Sequence, residues 1–275
     1  MTAVSDELFI AFVVGTAGFA SNAFVYAVEL ATKTVHKRFA ITPLSVHTHL
    51  APSSTTGMHR FTSKALAISI ANRDRDFDAT ITADCGSARL GAELAFTSAP
   101  ADQHFSVCTP LHGNRWNYTH KFGAFGVTGH VEIDGRRFAM RDGLGTLDFT
   151  KSYALRHAVW KWIAIAGRSR SGSVIGINLV DPTPLAPVSE NCAWVDGTRV
   201  PLIDVRIEDG FRVRASGLEL SMVPVASVEQ RLDVPLVRHR LGHTVGAFSG
   251  SLAVGRARHE LSGIVGIAED NDTWW

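Results

Sequence analysis

The chain has 275 residues, 45% of them hydrophobic and 19% charged, so it can bury a large core, and a disordered chain is excluded. This length fits one large β domain or two smaller ones. Lysine and arginine total 27 against 26 aspartate and glutamate, a net charge of +1. Because binding to a phosphate backbone needs concentrated positive charge, we expect no nucleic-acid partner.

The first predicted elements are two strands, at 8–14 and 23–30. The apolar character of the first suggests a signal peptide, but Asp6 and Glu7 precede it where a signal peptide carries positive charge. Gly15, Ser21 and Asn22 then interrupt the apolar residues, well short of the ~20 that span a bilayer. We therefore expect a cytoplasmic protein without a membrane span.

Period-two alternation of apolar and polar residues dominates the rest of the chain. Leu66, Ile68 and Ile70 share one face of a predicted strand, and similar runs follow at 205–208, 211–214 and 218–222. Asp-Gly pairs at 134–135, 196–197 and 209–210 lie between such runs and suit tight hairpin turns. The pattern predicts an all-β fold, an antiparallel barrel or sandwich.

Several segments interrupt this rhythm. Residues 43–57 are rich in Pro, Ser, Thr and His and predict a long loop, and the three prolines within 181–187 predict a loop or an edge segment. Prolines and a glycine collect between 99 and 117, so we predict two β domains, 1–115 and 116–275. Gly123, Gly126 and Gly129 are expected to mark bends or close strand approach.

Motifs for phosphate binding and for a nucleophilic serine are missing: there is no Walker loop, dinucleotide fingerprint or Gly-x-Ser-x-Gly sequence. His47 and His49 would share one face of a strand, but a metal would need a third ligand such as His59, whose position the sequence does not determine. We favour the interpretation that His47 and His49 are exposed in a polar loop, and we predict no metal and no cofactor. The three cysteines are interpreted as reduced, buried, small hydrophobic residues: Cys85, Cys108 and Cys192.

The segment 121–194 carries the candidate functional residues. Trp160 and Trp162 would face one side of a strand together with alanines, which fits either the wall of a cavity or ordinary core packing. Asn178 interrupts an apolar strand, so its amide needs polar partners. Glu190 and Asn191 could supply them, as a buried network or as the polar end of a pocket.

A set of short motifs, most of them in the second half, follows a recognisable order and spacing. They are Lys121, Asp148, Trp160, Trp162, Gly176, Asn178, Leu179, Glu190, Asn191, the Trp-Val-Asp-Gly of 194–197, the Gly-x-Phe-Ser-Gly of 246–250, and Glu269-Asp270 before Trp274. In these motifs the chain resembles domain-of-unknown-function family 2804. The resemblance implies a calycin-related architecture with two lipocalin-like halves, similar at the fold level to carotenoid hydratases and lipocalin-like cyclases. Where the pattern expects a histidine after the closing Glu-Asp, this chain has Asn271, so any proton transfer at that position is lost or moved.

Three functions are compatible with these residues. The first is an enzyme that hydrates, isomerises or cyclises an apolar, terpenoid- or lipid-like molecule, with Glu190 or Asp148 as the acid. The second is a carrier or sensor of a hydrophobic molecule, and the third is an interaction protein with Trp274 and Trp275 at its interface. The acidic residues before these tryptophans would form a solvated tail or place a carboxylate at a barrel mouth. In the enzyme hypothesis the substrate-binding residues are Trp160, Trp162, Asn178, Asn191, His157 and Trp194.

Overall fold

A computed structural model describes residues 1–182, 189–234 and 237–274. Within these ranges the chain is almost entirely β-strand, with one short 3-10 helix at Asp209–Phe211, and the registered strand pairs are antiparallel. The predicted all-β fold of two antiparallel, lipocalin-like halves is confirmed. The same ranges contain no helix able to span a bilayer.

Thirteen strands form the first sheet, in the order β4-β3-β2-β1-β13-β11-β9-β8-β7-β6-β5, with β10 and β12 pairing with β11. The two strands predicted near the N-terminus are present as β2 and β3. The strands are β1 (Thr2–Val4), β2 (Leu8–Thr16), β3 (Ala20–Glu29), β4 (Thr34–Pro43), β5 (Thr48–His49), β6 (Thr56–Thr62), β7 (Leu66–Arg73), β8 (Asp76–Asp84), β9 (Arg89–Thr97), β10 (Phe105–Leu111), β11 (Arg115–Ile133), β12 (Arg136–Ala139) and β13 (Gly143–Tyr153).

Nine strands form the second sheet, in the order β17-β16-β15-β14-β22-β21-β20-β19-β18. Three long neighbouring strands, β20 to β22, make up most of it. The strands are β14 (His157–Arg168), β15 (Val174–Asp181), β16 (Cys192–Val195), β17 (Thr198–Pro201), β18 (Arg206–Ile207), β19 (Val213–Ala215), β20 (Leu218–Val234), β21 (Val237–Val254) and β22 (Ala257–Trp274).

The chain forms two compact units, and each is discontinuous in sequence. Unit 1 comprises Met1–Ser98 and Phe125–Gly145, and unit 2 comprises Ala99–Ala124 and Thr146–Trp275. Strands β11 and β13 each begin in one unit and end in the other. The division predicted between 115 and 116 falls at the start of β11 and stays a prediction.

The predicted turns and loops are largely where the sequence indicates. The Asp-Gly pairs at 134–135 and 196–197 connect β11 to β12 and β16 to β17, whereas the pair at 209–210 lies in the 3-10 helix between β18 and β19. The predicted loop at 43–57 is interrupted by the two-residue strand β5. Of the proline segment at 181–187, residues 183–187 lie outside the described residues.

In unit 1 the expected alternation is present, since Leu66, Ile68 and Ile70 are buried on one face of β7. A buried polar pair interrupts this core, where Asn72 Nδ2 lies 3.0 Å from His59 Nε2. Burial, with a smaller contribution from His49, lowers the pKa of His59, so its imidazole is neutral at pH 7.

In unit 2 both faces of the second sheet are buried around β14 and β15. One face is an apolar core that includes Ile163, Ile177 and Phe248. The residues that alternate with them point to the opposite face, and Trp162 and Asn178 are buried there as well. Polar side chains are therefore buried on the second face of this sheet. In a half-buried antiparallel sheet that face would be exposed to solvent.

Strands β11 and β15 approach closely at a pair of glycines. A Cβ on Gly176 would overlap the carbonyl oxygen of Gly123, and a Cβ on Gly123 would lie 3.1 Å from Cα of Gly176. Gly129 has a φ of +105° and faces the backbone of β9. The prediction of close strand approach is thus confirmed at Gly123 and Gly129, whereas a Cβ on Gly126 would meet only ordinary contacts, 3.4 Å or more away.

Candidate functional site

The centre of the candidate site is a buried lysine held between two carboxylates in unit 2. Lys121 Nζ lies 2.6 Å from Asp148 Oδ1 and 3.2 Å from Glu190 Oε2. The side chain of Lys121 is 3% exposed and that of Glu190 is 11% exposed, whereas Asp148 retains 29% of its surface. The cluster is therefore buried at Lys121 and partly open at Asp148. Both carboxylates predicted as catalytic, Glu190 and Asp148, are brought together by Lys121.

The glycine crossing explains how these residues meet. Lys121 lies two residues before Gly123 on β11, and Asn178 lies two residues after Gly176 on β15. Because side chains two apart on a strand share a face, Lys121 and Asn178 each lie on the same strand face as the glycine of the crossing. Asp148 comes from the middle of β13, and Glu190 precedes β16 by two residues.

The ammonium group of Lys121 is kept charged by its partners. Burial acts to lower the pKa of Lys121, but Asp148 and then Glu190 outweigh it, and the net pKa is raised well above 10.5. Lys121 is therefore protonated at pH 7. Its positive charge compensates part of the negative charge that the two carboxylates would otherwise hold in a nearly dry environment.

The two carboxylates keep unused acceptor capacity. Asp148 Oδ1 also accepts a hydrogen bond from the Thr150 hydroxyl, at 3.2 Å. Among the residues that the structure describes, Asp148 Oδ2 accepts no hydrogen bond. Glu190 Oε2 is buried at ion-pair distance from Lys121 but is not aligned as a hydrogen-bond acceptor with any described donor. Asp148 Oδ2 is therefore the oxygen that can accept a proton or a donor from a ligand, since Glu190 Oε2 is enclosed.

Trp162 and Asn178 form a hydrogen-bonded chain beside this cluster. Trp162 Nε1 donates to Asn178 Oδ1 at 2.8 Å, and Asn178 Nδ2 donates to the carbonyl oxygen of Glu190 at 3.0 Å. Lys121 Nζ also lies 5.6 Å from the centre of the Trp162 ring, a cation–π distance. The buried amide of Asn178 thus finds its partners, and it fixes the backbone that carries Glu190.

Replacing Trp162 with phenylalanine is expected to lower the free energy of unfolding by about 1–3 kcal/mol, because the buried Asn178 Oδ1 loses its donor while an aromatic ring remains. Urea denaturation measures the change. Trp116 is a matched control, since it is 37% exposed on β11, and Trp116→Phe should change stability by less than about 0.5 kcal/mol. Equal effects of the two substitutions would show that the indole N–H of Trp162 is not structurally important.

Asn191 and Trp194 hold strands together next to the cluster. The Asn191 amide accepts from Val180 N at 2.6 Å and donates to Val180 O at 3.1 Å, so it acts as a strand partner of β15. Trp194 Nε1 donates to Gln103 O at 2.6 Å, and its ring packs edge-on against Phe122 at 5.7 Å. Both side chains are buried, and these contacts are structural.

The prediction that the cysteines are buried is correct for Cys192 alone. Cys192 is fully buried, and burial raises its pKa to about 12, so the thiol is neutral at pH 7. Cys85 is half-buried, and Cys108 is exposed because it alternates outward on β10. All three cysteines are free.

Trp160 and His157, at other positions on β14, have partners other than Lys121. Trp160 Nε1 donates to Glu269 Oε1 at 2.6 Å, and Glu269 Oε2 lies 2.6 Å from His243 Nε2. His157 stacks on Trp274 at 4.0 Å, with Nε2 2.9 Å from Asp272 Oδ1. The structure therefore divides the predicted tryptophan wall between two polar clusters.

The acidic residues near the C-terminus belong to strand β22 and are not a solvated tail, since Glu269 is largely buried. Asn271 occupies the position where a histidine was expected, and it is 1% exposed. Its Nδ2 donates to Ala158 O at 3.3 Å, and its Oδ1 accepts from the Thr273 hydroxyl at 3.0 Å. An amide that joins two strands thus fills this position. Trp275 lies outside the described residues.

Sequence reasoning does not predict the ion pairs of Lys121 and Glu269, and it does not single out His243. Lys121 enters the sequence analysis only through the family resemblance, although a lysine within the run 118–125, which is otherwise free of charged residues, is a signal of a buried ion pair. Glu269 and His243 lie in separate strands, and only the register of β21 with β22 shows that they are neighbours.

Comparison with known proteins agrees with this architecture. The chain aligns with CghA, from a crystal structure with Sch210972, at 11% identity and a TM-score of 0.60, covering 99% of this chain and 86% of CghA. It also aligns with kievitone hydratase from Nectria haematococca at 10% identity and a TM-score of 0.48, covering 100% and 87%. The likeness to CghA shows a shared fold. No curated protein matches in sequence. The model of the family described as "Domain of unknown function (DUF2804)" matches residues 1–275, so the chain belongs to this family.

Proposed function

We propose that this protein is an enzyme that acts on an apolar small molecule by acid–base chemistry. The observation that carries the proposal is the buried Lys121 ammonium between Asp148 and Glu190. Burying ions costs free energy, and apolar residues of similar size are often as stabilising or more so. A cluster of ionisable groups inside an otherwise apolar unit is therefore typical of a catalytic site.

In this proposal Asp148 begins the reaction as a general base. Its Oδ1 lies 2.6 Å from the Lys121 ammonium, which would hold the carboxylate in place while it takes a proton. Asp148 is more exposed than Glu190, and its Oδ2 is open to a ligand. Glu190, whose Oε2 lies 3.2 Å from Lys121 Nζ, helps to hold the ammonium in place.

This arrangement supports the three reactions considered from the sequence. A proton removed from carbon and returned to another carbon gives an isomer, and a carbanion that attacks a second carbon of the same molecule before reprotonation gives a ring. A water molecule deprotonated at Asp148 adds its oxygen to an electron-poor double bond, and the same proton returns to the neighbouring carbon. All three need a substrate that carries an electron-withdrawing group, such as a conjugated carbonyl.

The apolar character of the substrate is supported by the surroundings of the cluster. Ala164 and Ala166 follow Trp162 on the same face of β14, and both are buried. Trp160, half-buried, continues this face in the other direction. CghA, which shares the fold, has been crystallised with Sch210972, and this fold-level analogy supports ligand uptake.

The proposal is tested by incubating the purified protein with an apolar metabolite extract of its native host and comparing mass spectra with a heat-killed control. We expect a compound that gains one water, or a product of unchanged mass with a new retention time. A compound that the protein retains without changing it would instead indicate a carrier. A spectrum identical to the control would also contradict the proposal.

A further inference from the structure

The sheet face that carries Trp162 continues from β14 across three more strands of unit 2. One row of directly paired residues crosses it: Trp160 (β14), Asn271 (β22), Leu241 (β21) and Gln230 (β20). Directly paired residues share a face, and Trp160 is two positions from Trp162 on β14, so this row lies beside Trp162. Apart from the buried Asn271 the row is half-buried, and none of its side chains is charged. The surroundings of the proposed site thus extend into an uncharged surface.

Gln230 is the polar residue at the far end of this row. Its Oε1 is buried, and within the part of the chain that the structure describes this oxygen accepts no hydrogen bond. The neighbours of Gln230 along β20, Glu229 and Arg231, alternate to the opposite face and are exposed. An unpaired buried amide oxygen costs free energy, which leucine at this position would avoid. A hydrogen-bond donor supplied by a ligand would remove this cost.

A second acceptor lies next to Gln230, on His239. Leu232, two residues after Gln230 on β20, pairs with His239 on β21, so Gln230 and His239 are diagonal neighbours on one face. The Thr273 hydroxyl donates its only proton to Asn271 Oδ1, so the 2.7 Å contact with His239 Nδ1 requires Nδ1 to be the donor. Because burial lowers the pKa of His239, the ring is neutral at pH 7 and its Nε2 is an acceptor.

We propose that Gln230 and His239 form a subsite that binds a hydroxyl group of the ligand. The inference rests on the proposed function in taking this ligand to be the substrate. A hydroxyl group donates a hydrogen bond and needs no compensating charge, which suits two neutral acceptors. An ammonium group would need a carboxylate, and both oxygens of the nearby Glu269 already accept hydrogen bonds or an ion pair.

The position of the subsite defines the shape of the substrate. Three strand spacings of about 4.8 Å separate β14 from β20, so Gln230 lies about 14 Å along the sheet from Trp162. Trp162 is the ring that faces the ammonium of Lys121. The substrate is therefore an elongated apolar molecule with a hydroxyl group at the end remote from the reacting carbon.

The test compares the binding of dodecanol and of its methyl ether by titration calorimetry, because the ether keeps the apolar chain but cannot donate a hydrogen bond. Wild type should bind dodecanol at least about 10-fold more tightly than the ether. Gln230→Leu should reduce this preference to less than about 3-fold, and His239→Phe should reduce it in the same direction. The matched controls, Glu229→Gln and His112→Gln at exposed positions, should keep the wild-type preference.

Urea denaturation without ligand separates a ligand-binding role of Gln230 from a structural one. Gln230→Leu removes an unpaired buried acceptor, so its unfolding midpoint should equal or exceed that of wild type. A lower midpoint would show that Gln230 supports the fold and would overturn the inference. A wild-type protein that does not prefer the alcohol, or that binds neither probe, would overturn it as well. Each of these results leaves the proposed function intact.

The extract component that the wild-type protein converts links the subsite to the substrate. Gln230→Leu should raise KM for this component by at least about 10-fold and change kcat much less, because the hydroxyl group lies far from the reacting carbon. An unchanged KM would contradict the inference. If the preference for dodecanol depends on Gln230 but no component is converted, the proposed function fails and the subsite is that of a carrier.

Discussion

Replacing Lys121 with methionine is expected to lower the free energy of unfolding by about 3–5 kcal/mol, because two largely buried carboxylates lose their common cation. Lys121 is 3% exposed, and no other described cation lies within ion-pair distance of Asp148 or Glu190. Urea denaturation at neutral pH measures the loss. A change below about 1 kcal/mol, the usual size for a surface ion pair, would contradict the buried cluster.

The triple variant Lys121→Met, Asp148→Asn, Glu190→Gln is the control for this prediction. It removes all three charges, so its stability should recover a large part of the loss.

The stability that Lys121 contributes should depend on pH in a defined direction. The pKa of Lys121 is raised above 10.5, so its contribution to stability is complete below that pH and is lost only as the pH rises further. The difference between wild type and Lys121→Met should therefore stay constant around neutral pH and shrink in strong alkali.

Replacing Gly176 with alanine is expected to lower the free energy of unfolding by at least about 3 kcal/mol. The added Cβ would overlap the carbonyl oxygen of Gly123, and a backbone atom cannot move aside as a flexible side chain would. Any shift of β11 relative to β15 also displaces Lys121 from Asn178. Thermal or urea denaturation measures the stability, and activity should fall in the same variant.

Gly91 provides the matched control for this substitution. It lies within β9, and a Cβ there would meet no heavy atom within 4 Å. Gly91→Ala should therefore change stability by less than about 0.5 kcal/mol. If Gly176→Ala were equally mild, the glycine crossing would not be what positions the site.

The strands could be predicted because their pattern is local. Leu66, Ile68 and Ile70 alternate with smaller or polar residues, and Asp-Gly at 134–135 and 196–197 has the conformational freedom that hairpin turns require. The turn expected at 209–210 became a 3-10 helix, because β18 and β19 pair across a longer connection. The division into units involves strands that pass from one unit to the other, and no local pattern in β11 or β13 reveals this.

The site was only partly predictable, because its contacts join distant segments. Asn178 signalled a buried polar network by interrupting an apolar strand, and its partners Trp162 and Glu190 were both among the candidates. The sequence did not show that Lys121 would pair with two carboxylates that lie 27 and 69 positions later. Nor did it separate Trp160 from Trp162, which share a face of β14 but bind different carboxylate clusters.

The central claim is that proton transfer at Asp148 drives a reaction, and the most direct test is a rate measurement in heavy water. Wild type, Asp148→Asn and Asp209→Asn are incubated with the convertible component of the extract, and deuterium in the product is followed by mass spectrometry. Asp209 pairs with Lys161 at 2.8 Å on the surface, so its substitution is the matched control. We predict that wild type and Asp209→Asn form deuterated product equally fast and that Asp148→Asn is slower by about 10²–10⁴-fold. Equal rates for the two variants, both folded, would contradict the claim.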